Sequence, residues 1–89
     1  MTQRSLKIVN EKGLHARASA KLVEVVEGFD ASAEVLRDGL SASGDSIMGL
    51  LMLAASKGTT IEVQTTGPDA DALVDALEAL VADKFGEGV

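Results

Sequence analysis

The sequence predicts an α+β chain of order βαββαβα, a two-layer open-faced sandwich in which helices cover one face of a four-stranded, mainly antiparallel sheet. Three observations carry that prediction. Segments 4–9 and 59–65 alternate apolar and polar residues with a period of two. Asp38-Gly39, a dipeptide suited to a tight two-residue turn, separates two further short alternating runs, 33–37 and 40–43. Segments 16–27 and 70–84 repeat apolar residues at helical spacing, and 47–55 is apolar at almost every position.

In chain order, the first strand covers 4–9, with Leu6 and Ile8 on one side and Lys7 between them, and Glu11-Lys12-Gly13 forms the loop after it. The first helix covers 16–27, free of glycine and proline. Ala18, Leu22 and Val26 lie four apart on its core-facing stripe, with Val25 and Phe29 beside them, and Lys21, Glu24 and Glu27 on the wet face. Gly28 suits a left-handed helix end. The hairpin follows, with Ala33 and Val35 on one face of its first strand. Gly44-Asp45-Ser46 then breaks the sheet, with Ser46 as the cap of a second helix over 47–55 that Ser56-Lys57-Gly58 closes. Ile61 and Val63 mark the fourth strand. After Gly67-Pro68-Asp69 turns the chain, Asp69 or Asp71 caps a last helix over 70–84, packed through Leu73, Leu77, Leu80 and Val81. Asp71, Asp75, Glu78 and Asp83 form its solvated face. Phe85 ends the amphipathic pattern, and 86–89 are expected to fray.

Eighty-nine residues make one domain, 1–89, with room for a modest core but no deep catalytic cleft. The 46% hydrophobic content comes mostly from Ala, Leu and Val, with Phe29 and Phe85 the only aromatics. No apolar run approaches the roughly 20 residues a membrane-spanning helix needs. No secretory leader precedes the first strand, so a cytoplasmic protein is expected. With no cysteine there are no disulfides and no thiol chemistry, and one histidine among scattered acids makes neither a metal site nor a cofactor expected. A net charge of −6 argues against nucleic acid and anionic membrane as partners.

The stretch that carries chemistry is Gly13-Leu14-His15-Ala16-Arg17, which holds the only histidine. It sits at a strand–loop–helix junction, where the unpaired N–H groups of a first helical turn and the helix dipole favour an anion. A ring nitrogen beside such a site and a guanidinium suits accepting and donating a phosphoryl group. Gly-x-His-x-Arg alone is a weak motif, and a lone histidine at a helix start is more often a surface or capping residue.

The rest of the chain strengthens it. Gly13 to Arg17, the Asp38-Gly39 turn, Ser46-Ile47-Met48-Gly49-Leu50 and Lys57-Gly58 together resemble the HPr family of phosphocarrier proteins of the bacterial phosphotransferase system, over nearly the whole chain. The resemblance implies an HPr-like fold. It implies a carrier rather than a stand-alone turnover enzyme, in which His15 receives a phosphoryl group from phosphorylated enzyme I, derived from phosphoenolpyruvate, and hands it to an EIIA-type protein. The group would ride on Nδ1 of His15, with Arg17 and the Ala16 and Arg17 backbone meeting its charge. Attack needs an unprotonated nitrogen, and a helix N-terminus opposes an imidazolium. One departure lies inside the motif: the family usually carries proline where this chain has Ala18. With Glu24 and Glu27, where many relatives are basic, that places the pattern closer to the nitrogen-related branch than to sugar uptake.

Ser46 reads as a plain cap, and equally, through Ser46-Ile47-Met48-Gly49, as the regulatory site of relatives modified by HPr kinase/phosphorylase. A two-turn helix can bury one stripe only. Leu50 and Leu53 suit it, with Ile47 at its margin, so Met48 and Leu51 are expected to be exposed as protein-docking anchors. A partner face of Ala16, Arg17, Ala20, Ile47, Met48 and Leu51 on a monomer follows. The competing expectation is that this run is buried more widely against the third helix. Two rival functions stand beside the carrier: a regulatory protein-binding module acting through the Ser46/Met48 face without relay to sugar permeases, and a ferredoxin-like small-ligand domain, for which no ligand motif is present.

Overall fold

The structure is a computed structural model, and residues 1–87 are described. Four strands, β1 (Thr2–Lys7), β2 (Ser32–Arg37), β3 (Leu40–Ser43) and β4 (Thr60–Thr66), and three helices, α1 (Ala16–Glu27), α2 (Ile47–Met52) and α3 (Ala70–Ala82), follow one another in the order β1, α1, β2, β3, α2, β4, α3. A short turn of positive-φ residues, Lys84–Gly86, follows α3. The sheet order is β1-β4-β2-β3 and every neighbouring pair is antiparallel. The expected βαββαβα sandwich is therefore the fold.

Period-two alternation decides which face each strand buries. Leu6 opposes Ile61 and Val35 opposes Val63 across the ladder, and all four are buried in one cluster with Leu22, Val26, Leu73 and Leu77 from the helices. Gln3, Glu62 and Gln64 take the opposite, wet face, where the Gln3 amide donates to Glu62. Leu36 faces Ser41 and Arg37 faces Leu40, so Asp38-Gly39 is a two-residue hairpin. Both turn residues have positive φ, 49° and 80°, the mirror-image geometry that matches strand twist and that Gly39 adopts without a Cβ penalty.

Several boundaries differ from expectation for physical reasons. β1 pairs from Thr2 rather than residue 4, because β4 extends to Thr66 and supplies partners for the extra residues. Ile8 leaves the ladder but still bonds Thr59, its N–H reaching the Thr59 carbonyl at 2.9 Å. Gly28 ends α1 in the right-handed region, φ −80°, and closes it with a tight bond from its N–H to Val25. Helix α2 stops at Met52 instead of residue 55. Ala54 takes φ +51° and turns the chain so that the Ala55 carbonyl accepts the Leu14 N–H at 2.8 Å. Arg37 seals that end by donating to the Leu53 carbonyl at 3.0 Å.

Helix α3 starts at Ala70 as expected, but neither Asp69 nor Asp71 caps it through a side chain. Asp69 accepts the Asp30 N–H instead, and Asp71 accepts the Thr2 hydroxyl. The acidic face is solvated as expected: Asp71, Asp75, Glu78 and Asp83 are all exposed, and Arg4 bridges Asp75 at 2.5 Å and Glu78 at 2.9 Å on that surface. The tail beyond α3 does not fray as far as it is described. Phe85 is fully buried in the core. Gly86 and Glu87 are held in place, and residues 88 and 89 lie outside the described residues. No helix among the described residues is long and apolar enough to cross a membrane.

Candidate functional site

Helix α1 begins where the sequence placed it, with His15 in the N-cap position at φ −79°, ψ −177°. The first intrahelical bond runs from the Ser19 N–H to the His15 carbonyl, 2.8 Å. The N–H groups of Ala16, Arg17 and Ala18 precede any possible i−4 partner, so they form the free donor end of the helix. Ala18 is fully buried and Ala16 and Arg17 are exposed, so this turn is anchored by one methyl and presents the other two residues outward.

The loop that delivers His15 is built on Gly13 and Asn10. Gly13 has φ +63°, and a Cβ there would stand 2.4 Å from the Ala55 carbonyl oxygen. Only glycine permits that backbone-to-backbone approach. Asn10 is wholly buried, and its amide donates to the Gly13 carbonyl at 2.8 Å, closing the loop on itself. Asn10, the residue after the predicted strand 4–9, thus has a loop-fixing role.

Around the imidazole lies an open cleft of about 480 Å³, lined by His15, Ala16 and Arg17, by Lys12 and Lys21, and by the tail residues Gly86 and Glu87. Three cations converge there on a chain whose net charge is −6. Arg17 and Lys12 enter no ion pair among the described residues, and Lys21 donates to the Phe85 carbonyl at 2.6 Å. The His15 ring binds Glu87 through Nε2. Glu87 also accepts the Asn10 amide at 2.8 Å. Asn10 foremost, then His15 and Lys12, hold the Glu87 carboxyl below the usual carboxylate range, against the opposing effect of its burial. Sequence reasoning missed Glu87, placing it in a frayed tail. The available signal was Phe85, one of two aromatics, standing two residues before it.

The second predicted site lies on α2. Ser46 caps it as expected: its Oγ accepts the Gly49 N–H at 3.0 Å. Leu50 and Leu53 are buried, while Met48 is 74% and Met52 77% exposed, with Ile47 and Leu51 exposed beside them. Wider burial against α3 does not occur, because α2 packs on α1 and β3. Ala20 is half-buried, one turn beyond Ala16 on α1. No group of acidic or histidine side chains among the described residues is arranged to hold a metal.

Comparison with known proteins joins these features. The family described as "PTS HPr component phosphorylation site" matches residues 2–83. The phosphocarrier protein HPr of Cupriavidus necator is 48% identical over 88 residues, 99% of each chain. The chain belongs to the HPr family of phosphocarrier proteins. The phosphocarrier protein NPr of Escherichia coli is 40% identical over 86 residues, 96% of each chain, so HPr relatives of both names resemble it. Among solved structures, HPr-C-His from Thermoanaerobacter tengcongensis superposes with a TM-score of 0.94 at 32% identity, over 100% of both chains. Proteins of this family are phosphocarriers of the phosphotransferase system, and the family match spans His15, Arg17 and Ser46 of this chain.

Proposed function

We propose that His15 is the phosphoryl acceptor of this carrier, receiving the group from phosphorylated enzyme I and passing it to an EIIA-type protein in the cytoplasm. The observation that carries this reading is the placement of the lone histidine at the open N-terminus of α1, inside a cleft lined by Lys12, Arg17 and Lys21. The chemistry follows from those groups. A neutral ring nitrogen attacks the donor's phosphorus, and the transferred phosphoryl is met by backbone N–H groups and the Arg17 guanidinium. The stabilisation stays moderate, about 0.3–1 kcal/mol from the helix end, which suits a group that must leave again. Ala18 in place of proline keeps one more first-turn N–H and does not disturb the helix start, which remains at Ala16.

Docking is assigned to Ala16, Arg17 and Ala20 on α1 together with Ile47, Met48 and Leu51 on α2. Exposed methionines beside a reactive centre suit a surface that meets more than one partner in turn. Ser46 lies at the edge of that surface, and its phosphorylation by HPr kinase/phosphorylase is proposed as regulation. A phosphate there would replace a neutral cap at a helix N-terminus and add a dianion beside Asp45, altering docking more than folding.

The test is a relay. Incubation with enzyme I and labelled phosphoenolpyruvate should place one acid-labile, base-stable phosphate on the wild type, and an added EIIA protein should remove it. His15→Ala should take up none. Full labelling of that variant, or a label that EIIA cannot remove, sinks the carrier reading.

A further inference from the structure

We propose that Glu87 is a positioning residue for His15: its carboxylate accepts the Nε2 proton of the ring, fixes that tautomer, and leaves the Nδ1 lone pair as the nucleophile. An ionised carboxylate can only accept, so the ring nitrogen that meets Glu87 must carry the proton. Among the described residues Nδ1 bonds nothing. The same carboxylate takes the Asn10 amide on its other oxygen, and that amide also holds the Gly13 carbonyl. One chain of contacts thus sets the tail, the ring and the loop that carries the ring. A base oriented by a third, hydrogen-bonded group is the general arrangement by which an imidazole is held in one tautomer.

The tail is constructed to deliver this group. Lys84, Phe85 and Gly86 are three consecutive left-handed residues, φ 55°, 55° and 73°. Left-handed backbone is unfavourable for the two non-glycine residues, so something must hold it. The Phe85 ring, fully buried, and the Lys21 ammonium on its carbonyl do so. Glu87 is then brought against His15 with its side chain only 9% exposed.

The inference rests on the reading of His15 as phosphoryl acceptor and specifies its chemistry. In the accepting step the Nδ1 lone pair forms the N–P bond while the bond from phosphorus to the donor breaks and the donor keeps that electron pair. The ring then carries a positive charge, balanced by the Glu87 carboxylate. In the donating step the acceptor attacks phosphorus, the N–P pair returns to Nδ1, and the ring leaves as neutral imidazole. The Nε2 proton stays in place throughout.

The decisive experiment avoids protein partners. Phosphoramidate phosphorylates the wild type, Glu87→Ala and Glu87→Gln, and ¹⁵N and ³¹P spectra locate the phosphate on the His15 ring. The ring N–H of the unmodified proteins is observed in parallel. The wild type should show an exchange-protected Nε2–H and phosphate at Nδ1 alone. Glu87→Ala should lose the protected proton and give Nε2 adduct as well, with Nδ1 labelling about tenfold slower. Glu87→Gln, which keeps an acceptor oxygen, should restore the regiochemistry. An Nδ1–H tautomer in the wild type, no reaction at its His15, or identical products and rates in the wild type and Glu87→Ala overturns the assignment. Failure of the enzyme I relay with this regiochemistry intact would instead count against the proposed partners alone.

Discussion

The histidine cleft and the α2 face are built from opposite materials. At the cleft, backbone donors, three cations and a carboxylate surround one ring, and the His15, Glu87 and Lys21 side chains each meet a polar partner. On α2, a six-residue helix leaves Met48 and Met52 in water with no neighbour to cover them. The first arrangement suits chemistry, which needs fixed directions. The second suits docking, where a flexible apolar side chain adapts to different partners. The contact between Leu14 and Ala55 ties the two together, because the loop leaving α2 is the backbone on which the histidine loop rests.

That tie offers the largest perturbation. Gly13→Ala combines a left-handed alanine with a collision against the Ala55 carbonyl, and should cost about 2–4 kcal/mol in thermal or denaturant unfolding. Gly39→Ala, also at positive φ but with open space around its Cβ, should cost only about 1 kcal/mol. Equal losses would mean that the loop junction is not the constraint the geometry indicates. Next in size, Arg17→Ala should slow phosphoryl transfer in both directions by about tenfold, with the melting temperature unmoved, since Arg17 is exposed and unpaired among the described residues. Unchanged rates would leave the helix N-terminus as the sole phosphate ligand.

Smaller effects separate charge from apolar contact on α2. Ser46→Asp should weaken binding to enzyme I at low salt and recover as salt rises, because ionic strength shortens the reach of the added charge. Met48→Ala should weaken it at every salt concentration. If titration finds neither change, the α2 face is not the interface. Smaller still, Ser46→Ala should lower stability by about 1 kcal/mol through the lost cap. Acid sharpens the contrast from the other side. The Glu87 carboxyl ionises more readily in the folded chain than at its ordinary value of 4.5, so its contact contributes stability above that pH. The contribution fades as pH falls through the lower folded value. The stability difference between wild type and Glu87→Gln should therefore vanish in acid, whereas that of Ser46→Ala should not.

What the sequence made legible was local. The bounds of α1 and β3, the Asp38-Gly39 turn and the Ser46 cap each follow from residues within a few positions of one another. The buried pair Leu50 and Leu53 and the exposed Met48 followed from the width of one helical stripe. The early end of α2 was not legible, because nothing in Ala54 itself demands a left-handed conformation; the need to reach Leu14, forty residues away in the chain, imposes it. Glu87 is the sharper case. An acidic residue in a short glycine-containing tail looks unanchored, and it becomes part of the site through Asn10, a residue whose own role depends on a loop closing around it.

The central claim is that this cleft exists to carry a phosphoryl group on His15. Its most direct test is to phosphorylate uniformly ¹⁵N-labelled protein with enzyme I and phosphoenolpyruvate and to read the phosphorus–nitrogen coupling in the His15 ring. One phosphate coupled to Nδ1 of His15 is the predicted result; a phosphate found on Nε2 or only on Ser46, or none at all, would contradict it.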